Sequence, residues 1–372
     1  MQRKVGSARA LGMRALGSDY FVLGLCGVLL LVLLPFADGM ATPQNARNVL
    51  ANMWPLLVIA VGQTFVLITG GIDLSQTAIM GLVSVVAAAL VTQGVQAVQF
   101  GPTPLWGTLI TSSGTGLLGS APLAVPTALV LCLGLGAALG SLTGLAIARL
   151  RLPPFMVTLV GLTFLGQLSI WVTRGEKVDG LPAEYGLLGS GGEIVSVGLA
   201  SITPALIVAV SVTAIAHVVL TRTVFGRSVY LVGTNASAAR LSGVSINRTI
   251  VLAYAISGGL AALGGLLYSA RQNIGNPTLG QEGNVLLDII GAVVIGGTSL
   301  YGGRGKVIWT AFGVLFFVLL TNGLSLLNIP FYLVTIAKGL AILGAVALDT
   351  ARHRIGLRPV AAMPVEPSPG PA

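Results

Sequence analysis

A chain of 372 residues that is 54% apolar and only 8% charged cannot clothe a water-soluble fold; such folds carry about a quarter charged residues. The net charge of +9 does not call for nucleic acid, because polytopic membrane proteins gather lysine and arginine in their cytoplasmic loops. Cys26 and Cys132 lie in apolar runs and His217 and His353 lie far apart, which excludes a disulfide framework and a metal-ligand cluster.

Residues 1–19 are basic, with Arg3, Lys4, Arg9 and Arg14, and read as a cytoplasmic segment. No small-x-small cleavage site directly follows the next apolar run, so the run reads as an uncleaved first helix rather than a signal peptide. A spanning helix needs about 20 mostly apolar residues. Ten segments qualify: 20–37, 49–70, 73–92, 123–147, 154–173, 203–220, 249–270, 286–300, 307–323 and 331–349. Glycines and polar residues interrupt the third and eighth, which predicts half-spanning or broken helices there. The stretches 93–122 and 174–202, rich in Gly, Ser, Thr and Pro, read as outer loops too small for a catalytic domain. The transmembrane domain covers 20–349, and 350–372, ending in "PVAAMPVEPSPGPA", reads as a disordered cytoplasmic tail.

With the N-terminus inside and ten spans, fifteen of the twenty basic residues fall inside, four outside, and Lys338 within a span. The bias supports both termini in the cytoplasm. "LPPFMVTLVGLTFLG" (152–166) echoes "NIPFYLVTIAKGLAILG" (328–344), and two five-helix halves must have opposite topology because five is odd. The expected fold is therefore an all-α polytopic membrane protein with inverted five-helix repeats. Gly136, Gly140 and Gly144 form a small-xxx-small stripe which, with Gly258, Gly259, Gly264 and Gly265, reads as helix packing.

The main inner loop, 221–248, contains four arginines and no acid. Asn235 is suited to cap a short helix and Gly243 to stop it. This predicts a surface helix that contacts another protein, against the plainer reading of a connector. Asp73 is the only charged side chain from Val49 to Leu90. It reads either as a cap for the next helix or as a gating group. Lys338 lies mid-span and calls for a carboxylate or backbone carbonyls, with Asp288 and Asp73 as candidates, or for snorkelling to an interface. Gln63, Thr64, Thr69, Gln167, Asn322 and Ser325 are candidate pathway-lining groups, though such residues also simply bond neighbouring helices.

"VGTNASAARLSGVSINRTIVLAYAISGGLAALGG" resembles the coupling segment of the permease subunits of ribose-, galactose- and xylose-type ABC sugar importers. "GQTFVLITGGIDLS" (62–75), "LDIIGAVVIGGTSLYGGRGKVIWTAFG" (287–313) and "AKGLAILGAVALD" (337–349) are similar to blocks of the same family, in the same order. The 93–122 stretch is longer than the family's. The resemblance implies a dimer of permease subunits, identical or not, in the bacterial inner membrane, with surrounding lipid. It also implies a cytoplasmic ATPase, which binds the ATP and magnesium, and an extracytoplasmic sugar-binding protein. Coupling would fall on Gly233, Asn235, Ala238, Ala239, Arg240, Ser242 and Gly243. Structural and gating roles would fall on Gly70, Gly71, Asp73, Ser75, Gly296, Gly297, Gly302, Gly303 and Lys338. The residues agree that this chain has no cofactor of its own. "YGGRGKV" ends in Gly-Lys but lacks the first glycine and the Ser/Thr of a phosphate loop. Two other classes compete with a permease powered from outside. An ion-coupled carrier would want acidic residues at a midplane site, and an intramembrane enzyme would want a histidine near Ser257.

Overall fold

The computed structural model describes residues 21–119, 121–191, 195–197 and 200–356. The basic segment 1–19 and the tail from 357 onward lie outside the described residues. The main helices are α1 (Phe21–Leu33), α2 (Pro43–Ile68), α3 (Gln76–Val91), α4 (Ala124–Leu150), α5 (Pro154–Thr173), α6 (Pro204–Arg222), α7 (Val224–Thr234), α8 (Ala236–Leu241), α9 (Ile246–Gln272), α10 (Val285–Ile295), α11 (Val307–Leu326) and α12 (Phe331–Gly356). Each of the ten apolar segments is helical. Six of them, α2, α4, α5, α6, α9 and α11, are long and apolar enough to cross a membrane. The other four, α1, α3, α10 and the apolar part of α12, are shorter. Shortness was expected of α3 and α10; for α1 and α12 it is a difference from the sequence reading.

Local chemistry sets the helix starts. Pro43, Pro154 and Pro204 stand in the first turns of α2, α5 and α6, where a missing N–H costs nothing. Thr42 and Thr203 accept the N–H groups of Asn45 and Leu206.

Burial sorts the helices into layers. α2, α3 and α9 form the centre, and α2 is buried over 89% of its apolar window. The windows of α4, α5 and α6 are only 22–28% buried. They turn Val130, Leu142, Val160, Phe164 and Ile215 outward. In water such a surface would aggregate; against lipid it is the required outer coat. The tightest seam joins α4 to α9. A Cβ on Gly140 would stand 2.1 Å from the carbonyl oxygen of Tyr254, so the glycine stripe is a packing device.

The 93–122 stretch folds back on the end of α3. Gly116 and Leu118 donate to the carbonyls of Thr92 and Leu90 at 2.7 and 2.8 Å, and Phe100 and Ile110 are buried. Gln93 donates to Gly180, and Val178 pairs with Gly275, which knits three outer connections together. Two departures from the expected architecture are small. Val195–Val197 and Ala200–Ile202 form an antiparallel hairpin, an addition to an all-α fold. α12 continues to Gly356, past the 350 boundary of the expected tail, with Thr350 bonded back to the Val346 carbonyl at 2.9 Å.

The sequence echo is matched in the backbone. Arg151 and Asn328 both adopt the left-handed conformation, at φ 56° and 55°, two residues before Pro153 and Pro330. α5 starts beside Ile72, through Thr158, whereas α12 starts beside the first turn of α10, through Thr335 and Asn284. These are opposite ends of the bundle.

Candidate functional site

Among the described residues, three places bring predicted site residues together. The first surrounds Asp73, which is fully buried between α2 and α3. Its Oδ1 accepts the Ser75 N–H at 3.0 Å and the Ser75 hydroxyl at 2.6 Å. Its Oδ2 accepts the Ser257 hydroxyl from α9 at 2.5 Å. Ser257 in turn accepts from Gln76 at 2.8 Å. With its amide turned to suit its neighbours, Gln63 donates to Gln76 Oε1 and to the Asp73 carbonyl, and accepts the Asp73 N–H. The residue at the cap position of α3 is Ser75, not Asp73. Asp73 closes a turn just before that helix and fastens it to α9, a partner 184 positions away. Every oxygen of the carboxylate has a donor, which offsets much of the cost of burying it.

The second place lies beyond the C-terminal end of α2. Gly70 and Gly297 take φ of 84° and 83°, and each ends its helix with the same turn. Gly71 donates to Val66, as Thr298 does to Val293, both at 3.1 Å. In the first Gly-Gly pair the leading glycine takes the left-handed position; in the second, Gly296-Gly297, the trailing one does. The turn through Gly302 and Gly303 reaches back to α2, where Gly303 donates to the Ile68 carbonyl at 2.8 Å. Gly233, at the end of α7, packs on the same carbonyl: a Cβ there would lie 1.8 Å from the Ile68 oxygen. Tyr230 donates to the Gly305 carbonyl at 2.7 Å, and burial holds its phenol above the usual range, so it stays a donor. Glycines from three distant stretches thus meet backbone to backbone at one node.

α8 stands beside this node. Asn235 caps it by accepting the Ala238 N–H at 3.0 Å, and Gly243, at φ 77°, ends it. Both ends are as the sequence predicts. Ala239 is buried against the chain itself, so it faces away from any external partner. Ala238, Arg240, Leu241 and Ser242 are exposed, Leu241 to 91%.

The third place is a cleft of about 490 Å³ at the opposite end of α2. Asn48 and Asn52 contribute from α2, Tyr268 and Arg271 from α9, Asp288 from α10, and Thr321, Asn322 and Ser325 from α11. Behind it, Lys338 Nζ lies 2.9 Å from Asp288 Oδ2, with the lysine side chain 3% and the aspartate 14% exposed. Of the two partners open to Lys338, the fold brings it Asp288. Asn322 and Asn45 exchange amide hydrogen bonds at 2.8 and 2.9 Å. Arg271 donates to Asn52 Oδ1, and Asn52 donates to the Asn48 carbonyl at 2.9 Å.

The candidate lining residues therefore part company. Asn322 and Ser325 line the cleft, and Gln63 belongs to the Asp73 network. Thr64 bonds Thr310 at 2.9 Å between α2 and α11, and Thr69 bonds its own helix at the Val66 carbonyl. Gln167 is exposed on α5. Sequence reasoning misses Asn48, Asn52, Tyr268, Arg271 and Thr321. A signal existed: Asn48/Asn52 and Thr321/Ser325 are pairs four apart near helix ends, each pair on one helical face. Among the described residues no cluster of His, Cys, Asp or Glu could hold a metal ion.

Comparison with known proteins places this geometry in a family. A family model described as "Branched-chain amino acid transport system / permease component" matches residues 45–347. The ribose import permease protein RbsC of Bacillus subtilis is 34% identical over 308 residues, covering 82% of this chain and 85% of that protein. RbsC of Escherichia coli K12 is 34% identical over 327 residues, covering 88% and 92%. The xylose transport system permease protein XylH of Escherichia coli K12 is 30% identical over 402 residues, covering 92% and 94%. No solved structure matches the chain. A chain of stacked apolar helices with a glycine-built node and a capped surface helix, matched in family over most of its length, belongs to the ABC transport permeases of the ribose and xylose type.

Proposed function

We propose that this chain is the membrane subunit of an ATP-driven importer for a small sugar, a pentose, hexose or related polyol, in the bacterial inner membrane. It is not itself a catalyst. A separate cytoplasmic ATPase hydrolyses ATP, an extracytoplasmic binding protein delivers the sugar, and a second permease subunit, identical or not, completes the pathway. All ten apolar helices contribute to the bilayer domain, with both termini inside and the halves inverted.

The observation that carries this reading is α8. A six-residue capped helix presents Arg240 and Leu241 outward, and leads directly into the node where α7, the end of α2 and the Gly302–Gly303 turn touch through backbone. A push on α8 passes into α2 with no flexible side chain between. A nearly naked leucine beside an arginine suits a partner groove with an apolar floor and an acidic rim.

The test is reconstitution with the ATPase and the binding protein. Leu241→Asp and Arg240→Glu should leave the permease folded in the membrane and abolish ATP-driven uptake. Undiminished uptake in both variants would move the coupling surface elsewhere. Accumulation driven by an ion gradient without the ATPase would replace the importer by a secondary carrier.

A further inference from the structure

The cleft between α2, α9, α10 and α11 sits at the far end of α2 from the coupling node, and it is the better polar cavity for a ligand than the Asp73 network. That network is closed: its carboxylate, serines and amides satisfy one another. The cleft is open in the opposite sense, because its groups are held in place yet have bonds to spare. Asp288 gives one oxygen to Lys338, while the other is buried and accepts from no described residue. An unmet carboxylate oxygen is a strong acceptor waiting for a donor. Arg271 is anchored by Asn52 and keeps further N–H groups. Asn322 is oriented by Asn45, and that exchange leaves its amide one N–H and one lone pair. The Asn48 side chain is exposed at the rim of the cleft.

We infer that this cleft is a binding subsite for a neutral polyhydroxylated solute, with Asp288 accepting, Arg271 donating, and Asn48 and Asn322 doing both. Adjacent sugar hydroxyls each donate and accept, and this alternation of planar donors and acceptors matches them. Tyr268 lines the same cleft from α9. The cleft volume falls within the roughly 300–1,000 Å³ usual for small-molecule sites and exceeds what one pentose needs. A branched-chain amino acid fits less well. Among the described lining residues its side chain would find only Leu56 and Val318 as aliphatic wall. The subsite rests on the importer reading, in which this end of α2 faces the binding protein. It gives the solute a place to rest in the membrane subunit after release.

The experiment uses the permease assembled with its ATPase in proteoliposomes, carrying Ser325→Cys at the cleft rim. Native Cys26 and Cys132 are buried and give a low background. A membrane-impermeant maleimide reports the accessibility of the new thiol. D-ribose, D-xylose and D-galactose are the probes, with L-leucine as control. At least one sugar should slow labelling, and L-leucine should not. Asn48→Ala, at an exposed position without folding risk, should raise the sugar concentration for half-protection about tenfold. Asp288→Asn should do so at least as strongly if it assembles. ATP-driven uptake is measured in parallel with the binding protein added. Uptake with no protection by any sugar overturns the subsite and leaves the importer. Protection without ATP-driven uptake supports the subsite and removes the importer. Protection by L-leucine alone, or protection unchanged by Asn48→Ala, overturns the assignment.

Discussion

Gly233 and Ile68 touch through backbone alone: a single added carbon on the glycine would fall 1.8 Å from the isoleucine carbonyl oxygen. That same oxygen accepts the N–H of Gly303 at 2.8 Å. α2 therefore ends in a contact that joins the surface helix to the turn after α10. Its first turns, with Asn48 and Asn52, line the polar cleft. One 26-residue helix, about 39 Å long at 1.5 Å per residue, connects the two places. Pro55, just past Asn52, leaves the Ala51 carbonyl without its helical partner and marks where α2 can bend.

Gly233→Ala should separate α7 from α2, since the three nearest atoms, the Ile68 carbonyl oxygen and carbon and the Gly303 nitrogen, are all backbone and cannot turn aside. The expected outcome is a subunit that still inserts but couples poorly, with ATP-driven uptake reduced about tenfold or more for a coupling loss of about 1.4 kcal/mol. Uptake and ATPase rate measured together check this; an unchanged ratio of solute moved to ATP hydrolysed would show that the node does not transmit.

Two glycines on the α4–α9 seam should respond in opposite ways. Gly140→Ala drives a methyl into the Tyr254 carbonyl and should cost about 1–3 kcal/mol. Gly259→Ala meets only the Ala137 methyl at 3.7 Å, an ordinary contact, and should stabilise α9 by about 0.5–1 kcal/mol. Thermal unfolding in detergent distinguishes the two, and similar shifts for both would contradict the close approach.

Lys338→Met leaves the largely covered Asp288 carboxylate, 14% exposed, beside an apolar group. Removing one member of such a pair costs about 3–5 kcal/mol. Adding Asp288→Leu should restore much of the lost stability, because the orphaned charge goes too. A double-mutant cycle by thermal unfolding is the check, and strictly additive losses would show that the two residues stabilise the bundle independently.

Ser257→Ala removes one hydroxyl without adding bulk next to Gly62. It takes a donor from Asp73 and an acceptor from Gln76, so a loss of about 1–3 kcal/mol is expected. Hydrogen exchange at the start of α3 should rise in the variant. Protection equal to that of the parent would mean that the turn before α3 holds without α9.

Legibility of the sequence follows the range of the forces involved. The ten apolar segments, the shortness of α3 and α10, the Asn235 cap and the Gly243 stop were legible because hydropathy and capping act over a few neighbours. Lys338 announced that it needed a partner, since a cation in an apolar helix must be neutralised, but two aspartates were open to it. Asp73 was legible as a buried acceptor near a helix start; its bond to Ser257 was not.

The sequence by itself determined that this chain lives in a bilayer, where its helices run, and which family it belongs to, because each rests on composition, local order or a string of matching blocks. The tertiary structure alone decided which faces meet. In a membrane, lipid and protein core are both apolar, so hydrophobic periodicity cannot tell an inward face from an outward one. The contacts of Gly233 with Ile68, of Lys338 with Asp288, and of Asn45 with Asn322 join residues far apart in the chain, and only packing brings them together.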